Sequence, residues 1–441
     1  MKSSATTSSR RTATASSSIP ATRLDGLARR ASGHLGAGGR GALDRGDFNA
    51  GRFLFQRAAD LLPEGDEDRL ALVPDLCEAL WEIGHSAPIA ALISSARRSS
   101  DAVVRAKAAI LETRPDLPLW EDSTTDERQH KQARALADLE AAGHDEGLSL
   151  YWWTVGHGAW FRCRAAETAA AMERALEHAE RAGASWRAEL AATWFANSHL
   201  FGPIPVPDAI ERVEALRARF AGSLLSDAHA DVALGMLALM QREPERGRPL
   251  VRAGVQTFRD AGLVVSAAGM SMGEAWVEFW AGDLDASEGV LRESLRVLDE
   301  LDDRGYRPTV ALQLADLLYH QGRYDDAEEL CVTGRALTTP DDIANFIYLD
   351  LLEGGIAAHR GRVEEGEERV RHGISLAETT DFYWFRGSSL VRLAEVLALG
   401  GRQAGVSEAA EAGLAHFHEK GDSASAVRAR ERLAAVGVEV V

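Results

Sequence analysis

The segment Gly322-Arg323-Tyr324-Asp325-Asp326-Ala327-Glu328-Glu329-Leu330 decides the fold. A glycine closes one helix-like stretch, a basic residue follows, and acidic residues with Ala open the next, where carboxylates complement the positive end of a helix dipole. The same punctuation recurs at Gly46-Asp47-Phe48, Gly84-His85-Ser86, Gly282-Asp283-Leu284, Gly361-Arg362-Val363 and Gly401-Arg402-Gln403. Cys163-Arg164 replaces the glycine, Gly202-Pro203-Ile204-Pro205-Val206-Pro207 is a proline-rich version, and Arg242-Glu243-Pro244 dispenses with glycine. From 163 onward the spacings are 39, 40, 40, 40, 39 and 40; 46 to 84 is 38, and 84 to 163 is 79, which hides one more unit. Two amphipathic helices per period of about 40 bury their apolar stripes only against neighbouring pairs, so the chain is expected to be an all-α solenoid of about ten helical hairpins.

The hidden unit is expected to place helices near Val103 to Arg114 and Arg128 to Ala142, joined by a longer connection over residues 115–127. Asp422 to Ala435 reads as a closing helix with its charged residues on an outer face in water. Residues 1–23 are a Ser/Thr/Arg-rich tail with too little apolar surface to offset ordering, and are expected to be disordered. The array is expected to fill residues 24–436, leaving 437–441 as a C-terminal tail. No hydrophobic stretch follows Arg10-Arg11, which argues against a twin-arginine export signal.

Composition fits this architecture. Of 441 residues 46% are hydrophobic, and Ala and Leu outnumber the β-branched types, which favours helix over sheet. The net charge is −18, yet residues 1–60 hold ten Lys or Arg against four Asp or Glu, so they carry +6 and the remainder −24. Such a body repels phosphates, so nucleic acid and anionic membrane are not expected partners. No apolar run approaches the roughly 18 to 20 residues needed to span a bilayer. Cys77, Cys163 and Cys331 are too scattered for a disulfide framework or a zinc site, and a cytoplasmic location is the expectation.

Catalytic and cofactor signatures are weak. Gly36-Ala37-Gly38-Gly39-Arg40-Gly41 has dinucleotide-loop spacing, but Ala31-Ser32-Gly33-His34-Leu35 before it is no strand, and a flexible, poorly helical first repeat is expected instead. The lysines, at positions 2, 107, 131 and 420, leave no phosphate loop. The histidines form no zinc-protease or zinc-finger spacing, and Cys163 near His157 reads as a buried small thiol. No catalytic residue, metal ligand or cofactor is therefore expected, and the chain is not expected to be an enzyme.

HEAT-type and tetratricopeptide-type arrays both fit the period, and the fine pattern separates them. The segment from Gly322 to Leu330 resembles the turn and second helix of a tetratricopeptide repeat. The small residue expected seven positions before the turn is present as Gly156, Ala275, Ala315, Gly354 and Ala394. That resemblance implies a right-handed superhelix whose first helices line the concave face. Counting back from each turn places Trp153, His157, Trp160 and Phe161 there, then Met272, Trp276, Phe279 and Trp280, then Asp316, Tyr319 and His320, and finally Tyr348 and His359. Helical spacing sets Trp276, Phe279 and Trp280 on one face. The same spacing also fits plain inter-helix core.

Longer segments carry a more particular likeness. Asp44-Arg45-Gly46-Asp47-Phe48, Arg57-Ala58-Ala59-Asp60-Leu61-Leu62-Pro63 and Leu76-Cys77-Glu78-Ala79-Leu80 resemble the start of the C-terminal tetratricopeptide region of actinobacterial signalling ATPases, AAA-type proteins often joined to a class III adenylate/guanylate cyclase domain. Glu173-Arg174-Ala175-Leu176-Glu177-His178-Ala179 and Phe201-Gly202-Pro203-Ile204-Pro205-Val206 are similar to the same region, in the same order. The resemblance implies a scaffold or sensor in signal transduction that binds a protein or peptide in its concave groove; the acidic body is expected to favour a basic or neutral partner, and self-association is a further option. One alternative is the detached regulatory half of a cyclase, ATPase or transcriptional regulator whose catalysis lies in absent domains. Another is a small-molecule sensor with a discrete pocket lined by Trp153, His157 and Trp160.

Overall fold

The computed structural model describes residues 21–115, 125–402 and 404–440. The expected N-terminal tail through residue 20, and positions 116–124 of the long connection, lie outside the described residues. The rest is helical, paired in chain order. The first five hairpins are α1 (Ala21–Leu43) with α2 (Phe48–Asp60), α3 (Glu67–Glu82) with α4 (Ile89–Ala96), α5 (Ala102–Glu112) with α6 (Thr125–Ala142), α7 (Asp145–Phe161) with α8 (Ala165–Ala182), and α9 (Ser185–Phe201) with α10 (Val206–Arg219). The next five are α11 (Leu224–Met240) with α12 (Pro244–Asp260), α13 (Val264–Ala281) with α14 (Leu284–Glu300), α15 (Arg307–His320) with α16 (Tyr324–Leu337), α17 (Ile343–His359) with α18 (Val363–Glu378), and α19 (Tyr383–Leu399) with α20 (Val406–Lys420). A closing helix, α21 (Ser423–Ala435), follows. The described residues therefore form an all-α solenoid of ten hairpins and a cap, and the hidden unit is α5 with α6.

The turns work as their sequences require. Gly46, Gly84, Gly282, Gly322, Gly361 and Gly401 all have φ between +68° and +86°, a region that costs a residue with a Cβ roughly 1 to 2 kcal/mol. Cys163 (φ 54°) and Arg242 (φ 65°) adopt the same left-handed conformation in the turns without glycine. Hairpin helices then pack closely because small residues face each other. A Cβ on Gly235 would lie 2.8 Å from the Gly247 carbonyl, and one on Gly354 would lie 2.8 Å from that of Gly366. Arginines just before or after the turns bridge to the preceding second helix: Arg360 reaches Asp325 and Glu328 at 2.5 and 2.9 Å, and Arg402 reaches Glu364 at 2.9 Å.

The glycine run at 36–41 corrects an expectation. These residues lie inside the continuous helix α1. A Cβ at Gly39 would stand 2.7 Å from the Phe55 ring, and one at Gly36 2.8 Å from Leu72. Close approach of α2 and α3 outweighs the poor helix propensity of glycine.

The superhelix closes on itself. Hairpins about five places apart in the chain meet across the axis: Trp186 packs edge-on against Phe48 with ring centroids 6.2 Å apart, and Ser266 Oγ donates to Glu82 Oε2 at 3.2 Å. Asp381, before α19, accepts from the Ala165 and Ala166 amides at 2.5 and 2.9 Å and so caps α8, more than 200 residues earlier in the chain. Lys420 Nζ donates to the carbonyls of His199, Gly202 and Ile204 at 2.7, 2.8 and 2.6 Å, fastening the end of α20 to the proline-rich turn. Arg428 of α21 donates to the Phe279 carbonyl at 2.8 Å. This corrects the expectation for α21, whose arginines were placed on an outer face: closure turns Arg428 and Arg432 inward against α13 and α19.

Candidate functional site

Because the coil closes, the concave face is a narrow interior, partly open to solvent, rather than a broad groove. Its main chamber, of about 180 Å³, is walled by the odd-numbered helices from α7 to α19, with Trp81 of α3. Aromatic rings dominate it. Trp160 lies 5.1 Å from Trp194, 5.5 Å from Phe201 and 4.9 Å from Phe382, ring centre to ring centre. On the other side Trp384 stands 5.0 Å from Trp276 and 5.5 Å from Tyr348. Such offset and edge-on pairs stiffen the walls, each adding roughly 0.5 to 1.5 kcal/mol beyond burial.

Polar groups on the main chamber are few. Asp342, only 5% exposed, sits at the N-cap of α17 and accepts from the Asn345 amide nitrogen at 3.2 Å and from Asn345 Nδ2 at 2.6 Å. Burial pushes its carboxyl up to about 7, offset only in part by the Asn345 backbone hydrogen bond. Gln313 donates weakly to the Met272 carbonyl at 3.4 Å, and its buried Oε1 receives no hydrogen bond. Burial also raises the Tyr348 phenol well above its usual range, so that residue offers an uncharged ring.

A second, smaller chamber of about 80 Å³ shares Trp276, Gln313, Tyr348 and Trp384 with the first. It is ionic where the first is apolar. Arg392, 2% exposed at its side chain, approaches Asp316 at 3.2 Å and Glu395 at 3.5 Å, with its guanidinium 3.7 Å from the Tyr319 ring centre. Arg432 holds Glu395 at 2.5 Å, and Tyr319 donates to the same carboxylate at 2.7 Å. Burial would raise the Glu395 carboxyl, but Arg432 and Arg392 outweigh it and keep it well below the usual carboxylate range. At Asp316 burial is likewise outweighed, by His320 and Arg392, leaving the carboxyl at about 2. The charges pair with one another, although Arg392 Nε and Nη1 make no hydrogen bond.

Of the thirteen groove residues expected from the repeat, ten line the two chambers: His157, Trp160, Phe161, Met272, Trp276 and Tyr348 the main one, with Trp276, Phe279, Trp280, Asp316, His320 and Tyr348 the second. Three do not. Trp153 lines a separate small cavity of about 40 Å³, while Tyr319 and His359 pack around Glu395. Trp194, Phe201, Trp384, Asp342 and Gln313 were not foreseen. The first two lie on α9, a first helix like the others, so extending the same count to that unit finds them. Asp342 carries only the signal of an N-cap.

Among the described residues no group of three or more His, Cys, Asp or Glu could hold a metal, and no helix is long and apolar enough to cross a membrane. All three cysteines are buried and free. Burial raises the Cys163 thiol well above its usual range, which keeps it protonated and poorly nucleophilic.

No family model matches the chain, and no curated protein matches it. Solved structures similar to it are long helical arrays of low sequence identity. The human IFIT1 dimer with m7Gppp-AAAA is 12% identical, covers 96% of each chain and has a TM-score of 0.49. A Rap protein complexed with competence and sporulation factor is 10% identical over 93% of this chain and 99% of that one, with a TM-score of 0.44. Yeast Tom70 is 10% identical over 94% and 92%, with a TM-score of 0.36.

Proposed function

We propose that this chain is a non-enzymatic scaffold or sensor that holds an anchor of a protein or peptide partner inside its closed superhelix. The observation that carries the reading is the convergence of Trp160, Trp194, Phe201, Trp276, Phe382 and Trp384 on one interior chamber. Rigid aromatic walls supply most of the binding energy at protein interfaces, because they bury large area at little entropic cost. With about 180 Å³ available, the anchor is a single side chain or a short chain end. The net −24 beyond residue 60 favours a basic or neutral partner and speeds its encounter. Affinity capture from the native cytoplasm, with wild type, Trp160→Ala and Trp276→Ala as baits, tests this. A partner retained by wild type and lost by both variants is the expected result; equal retention by all three contradicts it.

The finer setting proposed is bacterial signal transduction beside an ATPase or nucleotide cyclase, supported by the likeness of the segments from Asp44 to Leu80 and from Glu173 to Val206. Sequencing the genomic DNA upstream tests whether an ATPase segment lies in frame. The small volume of the chamber, about 180 Å³, favours a second reading, a small-molecule sensor, for which a metabolite rather than a peptide raises the melting temperature.

A further inference from the structure

The main chamber carries little positive charge: among the described residues no Lys or Arg lines it, and His157 is its one ionisable base. Asp342 is buried with hydrogen bonds from the neutral Asn345, and no ion pair to it occurs among the described residues. The second observation is independent: Gln313 is 7% exposed, lines the same chamber, and its Oε1 has no hydrogen-bond donor. Asn345 Oδ1, fully buried beside Asp342, also lacks one. Unsatisfied buried acceptors are costly and are rare in native proteins unless something supplies the donor.

The walls narrow the chemistry. Trp160 and Phe382, 4.9 Å apart, and Tyr348 and Trp384, 5.5 Å apart, are aromatic groups around this carboxylate-bearing chamber, and ring faces attract cations. An anion would meet Asp342, and no Lys or Arg among the described residues lines the chamber to receive it. A neutral hydrocarbon would fill the space but would leave Asp342 to be neutralised by a proton and the Gln313 oxygen without a donor. A cation with an apolar body answers the carboxylate, the idle Gln313 oxygen and the rings together. About 180 Å³ suits one aromatic ring with a short chain, or a lysine-length stem.

The geometry points to an organic ammonium group on an apolar stem as the occupant of the main chamber, with its N–H donors directed at Asp342, Gln313 as a further acceptor, and its stem among Trp160, Phe382, Tyr348 and Trp384. This rests on the interior being a binding site, as proposed above, and names what it binds. The group could be carried by a free amine or by a lysine of a partner; the chemistry is shared.

Isothermal titration of the full chain with 2-phenylethylammonium, with the neutral isostere 2-phenylethanol, and with the blocked lysine N-acetyl-lysine methylamide tests it. The ammonium should bind at least about tenfold more tightly than the alcohol, the scale of one charged hydrogen bond out of water. In Asp342→Asn that preference should fall to within about twofold, with Asp342→Ser as a second neutral N-cap should Asn fold poorly. Binding of blocked lysine with the same dependence on Asp342 supports a protein source, and binding of the free amine alone supports a metabolite. Equal affinity for ammonium and alcohol, or a preference that survives both substitutions, overturns the inference while leaving interior binding intact. If neither probe binds and capture is also indifferent to Trp160→Ala, both fall.

Discussion

Between α3, α5, α7 and α9, three carboxylates, Asp75, Glu78 and Glu146, share the buried cations Lys107 and Arg187, whereas at the head of α17 Asp342 is buried against aromatic rings with Asn345 as its donor. In the first region Lys107 reaches Asp75 at 3.2 Å and Glu146 at 3.0 Å, Arg187 makes a two-pronged pair with Glu78, and Arg40 approaches Asp75 from outside at 3.4 Å. Burial pulls the Lys107 pKa down, but Asp75 and Glu146 outweigh it, and the net shift is upward. That network is closed and borders none of the chambers described above. The second region has the same low polarity, a cavity, and no counter-charge. Buried charge in one protein can thus be structural in one place and an invitation in another, and the balance of partners separates the two.

Breaking the closed network should have the largest effect. Arg187→Ala leaves Glu78 buried without its pair and should cost about 3 to 5 kcal/mol in denaturant unfolding; a loss below about 1 kcal/mol would mean that the network is not truly buried. Lys420→Met unpairs three carbonyls at the seam of the superhelix and should cost about 3 kcal/mol. Proteolysis near the proline-rich turn should then accelerate.

Asp342→Asn should do the opposite and stabilise the unliganded protein at pH 8. The folded-state pKa, about 7, lies above the unfolded value of 3.8, so the carboxyl's contribution is fully present below the lower value and lost as pH rises through the higher. The gain from Asn should therefore grow from about pH 4 to pH 8, to about 2 kcal/mol and no more than about 4, which a pair of melting curves across pH would read. Cys163 and Tyr348 stay neutral over that range and do not confuse the titration. A variant no more stable than wild type at pH 8 would place a counter-charge near Asp342. The smallest effect belongs to Arg360→Ala, whose partners Asp325 and Glu328 are exposed: its melting temperature should match wild type within the scatter of replicate melts, in low and high salt alike.

The hairpins were legible because each turn must meet a local requirement, a left-handed residue followed by a helix start, and local requirements repeat in sequence. Cys163 and Arg242 could be placed only because their neighbours kept the period. Closure was not legible. Lys420 meets Gly202 across more than 200 residues, and nothing near either residue announces the other. The aromatic positions followed from helical spacing, but whether they faced water or one another depended on that closure. For the same reason the sequence of α21 does not disclose its inward contacts: Arg428 and Arg432 look like surface residues until the coil folds back over them. The helix through Gly36 to Gly41 shows the converse, where packing by Phe55 and Leu72 overrides a local preference.

A crystal structure of the full chain soaked with 2-phenylethylammonium bears most directly on the interior as a binding site. The nitrogen should lie within about 3 Å of the Asp342 carboxylate, with the ring between Trp160 and Trp384 and α21 seated against α13. An amine bound elsewhere, or an interior open to solvent with Lys420 away from the Gly202 carbonyl, would contradict it.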